Sequence, residues 1–448
     1  MKIAGFENFI SIDEFYYCLR IDEHEECHFS VSVSEKHLDT YINRLGKECS
    51  LENDCFKFSG TVTGLTVTKG IDCCHVEAIV QGRTFSLDQE QRCRIFQDNT
   101  KKVSDILSRM GLKEMHCSAE DDEEIQNVIV QNHETDWQFL KRLAACTKKH
   151  LFPGEKIRFG NPLRDKQTIQ ENDIIEMQVS LCQNRSCAVC RLKKRLNLGE
   201  RAELYRKDFF VDTVTYKKCN EEYIFEYHLS ECVPKQGYVN LPFYILAAEV
   251  KDNNDPERLG RVRLEYLEPY EDVMKENSMW TECGSSWASK GLGSACVPLK
   301  GDIVEVHIWD NSTRVLSSKR LEAFDSRVEN PDTRYILTGP QTHIAVNDEK
   351  VFIDNSAFRC EMTGDSFKLN CKDSCEIGIS EKEITAVLNK SSLKMENSAI
   401  TLDTDTSTLA LTDKTQLVTN GFEVDGKNKI ALTASKVDIK GQSGVSIN

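Results

Sequence analysis

Between residues 341 and 448 apolar side chains recur in pairs two positions apart: Ile344 with Val346, Val351 with Ile353, Phe358 with Cys360, Phe367 with Leu369, Ile377 with Ile379, Ile384 with Ala386, and Leu393 with Met395. The series runs on through Ile400 and Leu402, Leu409 and Leu411, Phe422 and Val424, Ile430 and Leu432, Val437 and Ile439, and Val445 and Ile447. Alternation with period two predicts short strands, each with one face to bury. Most pairs begin seven to ten residues after the one before, with turn residues such as Asn397-Ser398 and Asp425-Gly426 between them, so the segment reads as a repeat. So short a strand buries too little alone and needs stacked neighbours; a one-chain parallel β-helix uses about twenty residues per coil, whereas this spacing supplies one side of a triangular prism. Three chains complete the cross-section, and closure removes exposed strand edges. The pattern therefore predicts an intertwined, triple-stranded β-helix, or β-prism, over 341–448. Ile400, Leu402, Leu409, Leu411, Ile430, Leu432, Val437 and Ile439 would lie in its trimer core; a one-chain solenoid is the alternative.

Upstream the pattern changes. Residues 1–90 alternate in short stretches (29–33, 56–58, 62–67 and 76–80) that predict a β module, and 174–232 predict a second, with strands over 209–216 and 223–229. Helices fall between them. Over 136–145, Thr135 and Gln138 have capping-box spacing and Trp137, Leu140 and Ala144 share one face. Residues 243–325 predict a small Greek-key barrel of OB type, with strands over 243–250, 260–266, 301–308 and 314–318 and a turn at 253–256. The resulting division is 1–90 for a first β-barrel, 91–165 for an α/β insert, 166–240 for a second β-barrel, 241–326 for the OB fold, 327–340 for a linker and 341–448 for the trimeric β-helix. The fold class is mainly β.

Composition sharpens these boundaries. All nine prolines lie between Pro153 and Pro340, and no Pro, Trp or Tyr follows. The 448 residues carry 57 Lys plus Arg against 72 Asp plus Glu, a net charge of −15 that argues against nucleic acid as the main partner. No apolar run approaches the roughly 20 residues of a membrane-spanning helix. Residues 1–10 lack the pattern of a secretory leader, so if the protein leaves the cell another machine is expected to carry it. Nineteen scattered cysteines read as reduced core thiols, with Cys187 and Cys190 forming the one C-x-x-C.

The order of these parts resembles the VgrG family, the hub-and-spike proteins of contractile injection systems such as type VI secretion. Residues 94–100 (RIFQDNT) with 103–107 (VSDIL) are similar to the family's segment between two hub barrels, and 129–144 (IVQNHETDWQFLKRLA) to its hub helix. Residues 255–264 (DPERLGRVRL), Trp280 and 298–306 (PLKGDIVEV) resemble its OB collar and glycine–aspartate hairpin. The resemblance spans nearly the whole chain. It implies a homotrimer whose six β modules match a sixfold Hcp-like tube ring and baseplate proteins while the distal end narrows to a threefold needle. It implies structural roles for Trp137, Phe139 and Leu140 in the hub, and for Gly260, Val262, Trp280, Gly301 and Asp302 in the collar. At the needle end Val445, Ile447 and Asn448 would offer a platform for a PAAR-like tip protein, with effectors carried outward and the target envelope touched transiently. The spike of a contractile phage tail or phage-tail-like bacteriocin is the nearest alternative.

An enzyme is not expected. Residues 325–340 leave no room for a lysozyme insertion between collar and needle, and no effector domain follows the repeat. There is no H-E-x-x-H and no G-x-S-x-G elbow; Gly291-Leu-Gly293 lacks a phosphate-binding context, and the acidic run 120–124 lacks a calcium loop's glycine turn. No histidine follows His343, so no metal tip is expected and no cofactor is implied. A β-helical polysaccharide-binding adhesin or enzyme is a remote reading, because the repeat lacks the aromatic groove and paired carboxylates it would need.

Overall fold

The computed structural model describes residues 1–412 and 436, apart from 114, 155, 164–165, 183–184, 232–241, 286–287, 290–291, 294–296, 310–311, 320–334, 339–341, 347–348, 356 and 373–374. The chain divides into two units, Met1–Leu321 and Glu322–Asn448.

In the first unit the two β modules share one twelve-stranded sheet. The first module contributes Lys2–Ala4, Phe9–Arg20, Glu26–Val33, Glu48–Asn53, Phe56–Lys69 and Cys74–Gly82; the second contributes Lys166–Thr168, Ile174–Cys182, Arg185–Leu192, Arg201–Leu204, Lys207–Cys219 and Glu222–Ser230. Strand Phe9–Arg20 joins them by pairing antiparallel with Lys207–Cys219, Cys18 lying opposite Thr215. Alternation then sorts the side chains. Phe29, Val31 and Val33 enter one core with Phe58, Val76, Ala78 and Val80, while Val211, Tyr227 and Leu229 enter another with Ala188 and Leu204. Tyr216 stitches the modules together, because it stacks on Phe56 at 4.7 Å and its hydroxyl accepts from Asn53 Nδ2 at 2.8 Å.

Strand Arg185–Leu192 explains the C-x-x-C. Positions three apart on a strand point to opposite faces, so Cys190 is buried while Cys187 is only partly covered, and the two cannot grip one ion. Cys27, Cys49 and Cys190 are free buried thiols whose burial pushes them above the usual range, Cys49 to about 12 and Cys190 to about 11. Such thiols carry little thiolate and are inert core atoms.

The insert holds helices Val103–Arg109 and Asp136–Cys146 and the strands Gln91–Phe96 and Ile129–Thr135. The collar candidate forms a five-stranded sheet in which Tyr244–Asp252 lies between Arg263–Tyr266 and Ile303–Trp309. Its core is not self-contained. Ile95, Val128 and Val130 of the insert pack with Leu246, Val250, Val262, Leu264, Val304 and Val306, so insert and collar share a hydrophobic core.

In the second unit ten strands from Tyr335–Thr338 to Thr408–Leu411 form one antiparallel meander, each paired with the next. The sheet begins at Tyr335, inside the 327–340 span read as a linker, because Leu337 and Tyr335 add one more pair in register with Ile344 and Val346. The ladder bonds between these strands are made within the chain.

Candidate hub, collar and needle surfaces

The hub helix starts where its sequence requires. Thr135 Oγ1 accepts from Gln138 N at 3.1 Å and Gln138 Oε1 accepts from Thr135 N at 3.2 Å, a reciprocal cap that satisfies two otherwise orphaned donors. Thr135 Oγ1 also donates to Asp88. Trp137, Phe139 and Leu140 are fully buried, with Phe96, Ile106, Leu143 and Phe159 around them, and Trp137 stacks on the His24 ring at 4.6 Å. Burial holds His24 below its ordinary range, opposed by Asp88 at 3.3 Å. Two ion pairs tie the helix to two strands: Arg94 of Gln91–Phe96 with Asp136 at 2.7 Å, and Arg142 with Glu134 of Ile129–Thr135 at 2.6 Å.

The collar turns depend on glycine at two positions. Gly260 has φ +73° and Gly301 has φ +93°, a region that costs a side-chain-bearing residue strain. Around Gly301 the hairpin closes as Gly301 N donates to Val250 O and Val250 N donates to Asp302 O, each at 2.9 Å; Asp302 Oδ2 accepts from Leu299 N at 2.8 Å. Val262 is fully buried, and Trp280, half-buried, carries the Arg263 guanidinium at 4.8 Å.

Around Gly260 the structure adds residues that pattern reasoning left unassigned. The Asp255 carboxylate accepts from the backbone N–H groups of Glu257, Leu259 and Arg261 and pairs with Arg261 Nε at 3.0 Å and Nη2 at 2.8 Å. The Arg261 guanidinium, followed by these backbone donors, holds the carboxyl well below the usual carboxylate range. The signal was present in DPERLGR, an acid and a base six positions apart around a glycine, but only the closed turn shows that they meet.

A partly buried carboxyl sits at the seam between insert and collar. Strand Glu271–Asp272 pairs parallel with Arg94 and Ile95, and Gln97 Nε2 donates both to Asp272 and to Leu264 O. Burial pushes Asp272 up to about 6. Glu265 adds to this rise, whereas Lys275 and the donors Gln97 and Met274 N oppose it; the Tyr266 hydroxyl is buried without a partner. A carboxyl raised above its unfolded range binds its proton more tightly when folded, so stability rises as pH falls through about 6 toward 4. Comparing thermal midpoints at about pH 7 and about pH 4.5, the gain in the native chain should exceed that in Asp272→Asn; equal gains would refute the assignment.

The needle candidates lie on one face of the meander. In register across it run Cys360, Leu369, Ile377, Ala386, Leu393, Leu402 and Leu409; beside them run Met362, Phe367, Ile379, Ile384, Met395, Ile400 and Leu411. Within one chain this stripe is buried at Cys360, 8% exposed, and opens toward its far end, where Leu402 is 44% and Leu409 50% exposed. The opposite face carries polar ladders such as Lys368, Thr385, Lys394 and Thr401, with Lys394 bridging Glu383 at 3.0 Å and Glu396 at 2.9 Å. Ile430, Leu432, Val437, Ile439, Val445, Ile447 and Asn448 lie outside the described residues. Among the described residues no group of three or more His, Cys, Asp or Glu could hold a metal ion, and no helix is long and apolar enough to cross a membrane.

The fold thus combines a hub-like double β module, an OB collar and a repeat of strands with one largely uncovered apolar face. Residues 25–146 match the family of the phage tail baseplate hub (GPD), and residues 246–314 match the type VI secretion system/phage-baseplate injector OB domain. The two matches follow one another along the chain in the order of the hub-like module and the OB collar, and they support a likeness to the baseplate hub and injector of type VI secretion and phage-tail-like systems. A search of curated proteins finds no match. Among solved structures, an Escherichia coli component of the type VI secretion system, itself described as structurally similar to the T4 bacteriophage tail proteins gp27 and gp5, has a TM-score of 0.52 at 13% identity, covering 71% of this chain and 99% of its own. A chain of the Francisella PdpA–VgrG complex has a TM-score of 0.49 at 8% identity, covering 88% of this chain and 83% of its own. A tail protein from Neisseria meningitidis has a TM-score of 0.38 at 12% identity, covering 49% of this chain and 92% of its own.

Proposed function

We propose that the chain is the non-catalytic, homotrimeric spike of a contractile injection apparatus, joining a sixfold tube to a threefold needle that punctures a target envelope. The observation that carries this reading is the apolar stripe, two residues wide, left largely open on a sheet whose other face is mostly polar. Contiguous apolar surface of this kind marks an interface, and three copies packed stripe to stripe about one axis bury it and close the prism. The triple-stranded winding of the needle belongs to that assembly. Rigid ladders suit axial force, because many hydrogen bonds must break together although each contributes only about 0.5–1.5 kcal/mol net.

In this reading the hub meets an Hcp-like tube ring and baseplate proteins, the needle end seats a PAAR-like tip protein or effectors, and the particle assembles in the bacterial cytoplasm and leaves on contraction. Light scattering tests it. The full chain should have a mass near three times 51.1 kDa, and a chain ending at Pro340 should lose trimer stability. A full-length monomer at micromolar concentration would overturn the needle and with it the spike.

A further inference from the structure

One cleft of the first unit is basic although the whole chain carries a net charge of −15. It encloses about 1350 Å³ and is lined from both hub modules and the insert. Lys57, Arg83, Lys113, Lys156, Arg158 and Arg195 line it, against the carboxylates of Glu25 and Asp54. Among the described residues none of the six cations makes an ion pair. In a chain so rich in acids, six unpaired cations around one cleft need a physical account.

Two of the cations are held in place. The Arg158 guanidinium lies 3.7 Å over the Phe152 ring and that of Arg195 lies 4.5 Å over the Phe225 ring. Gly199 permits the first stack: with φ +79°, a Cβ there would come within 2.4 Å of the Phe152 ring and 2.7 Å of Arg158 Nη2. Arg158 Nη1 donates to the Asn161 carbonyl, whereas Nη2 is buried with no hydrogen-bond partner. Burial pushes this guanidinium down to about 10. A buried charged donor without an acceptor is costly, so the site gains when an anion enters. Guanidinium forks held over rings are matched to planar carboxylates, which accept two parallel hydrogen bonds.

We propose that this cleft binds an acidic peptide segment of a partner protein, its carboxylates seated on Arg158, Arg195 and the surrounding lysines. The size fits a peptide better than a metabolite, because small-molecule pockets run to about 300–1000 Å³. The charge distribution favours it over nucleic acid. A polynucleotide carries a charge on every unit and would meet the acidic surface beyond the cleft, whereas a short acidic segment needs only a local positive field.

The test uses the full-length protein and a fluorescein-labelled octaglutamate peptide, read by anisotropy at about 50 and about 200 mM salt. Saturable binding that weakens with salt is expected. The exposed-lysine variant Lys57→Glu/Lys113→Glu/Lys156→Glu should weaken it at least roughly tenfold, and Arg195→Glu should weaken it as well. The same number of reversals outside the cleft, Lys2→Glu/Lys36→Glu/Lys382→Glu, should leave it within about twofold. Absence of saturable binding, equal weakening by the control set, or tighter binding of a duplex DNA than of the peptide would each overturn the proposal. Solution mass, measured on the same samples, reports separately on the spike.

Discussion

Replacing Leu402 by aspartate should leave the full chain monomeric, with a mass near 51.1 kDa instead of three times that value. Leu402 stands in register with Leu393 on one side and Leu409 on the other, within the exposed part of the stripe. Threefold symmetry would place three copies of the new carboxylate at one level of a dry core. Each charge loses hydration worth several kcal/mol with no cation to meet it, and the three repel one another. The neighbouring substitution Thr401→Asp is the control, because residue 401 points to the opposite, polar face beside Lys394. It should remain trimeric. A trimer from Leu402→Asp, or loss of the trimer from both variants, would reject the stripe as the assembly surface.

Trp137→Ala should destabilise the first unit by about 3–5 kcal/mol in denaturant unfolding, the range for a large aromatic side chain removed from a packed core. Trp137 is 1% exposed and stacks on His24, so truncation leaves a cavity in the core that holds the hub helix against strand Gln91–Phe96. The needle sheet lies in the other unit and should keep its own transition. A second readout follows from the stack: with the indole gone, water reaches His24, and its ring should titrate closer to the ordinary histidine range because burial is what lowers it. A loss of stability below about 1 kcal/mol would place Trp137 outside the core's main supports.

Much of the local structure was legible because it depends on neighbours in the chain. The capping box at Thr135 and Gln138 sets the start of the hub helix, and the strands of the repeat follow from alternation alone. The linker boundary was misread for the converse reason. Composition changes at Pro340, but pairing depends on what lies opposite, and residues 335–338 find partners in 343–346.

The collar core and its seam were not legible. Ile95, Val128 and Val130 join a core whose other members lie more than a hundred residues later, and Gln97 meets Asp272 across the same distance. No spacing within either segment records that meeting. The basic cleft is likewise assembled from separate stretches, Lys57, Lys113 and Arg195 among them; only Arg195 belongs to a basic run, Lys193-Lys194-Arg195, and that run alone does not show the cations it meets.

The sequence by itself determined the periodic elements, their order and which face of each needle strand is apolar, because side-chain direction alternates with position and needs no distant partner. Tertiary structure alone decided that the two hub modules share one ladder through strands Phe9–Arg20 and Lys207–Cys219, that the collar borrows its core from the insert, and that cations from three parts of the chain face one cleft. Those contacts join residues far apart in sequence, and they form only when burial of many apolar side chains at once offsets the entropy lost in closing the long loops between them.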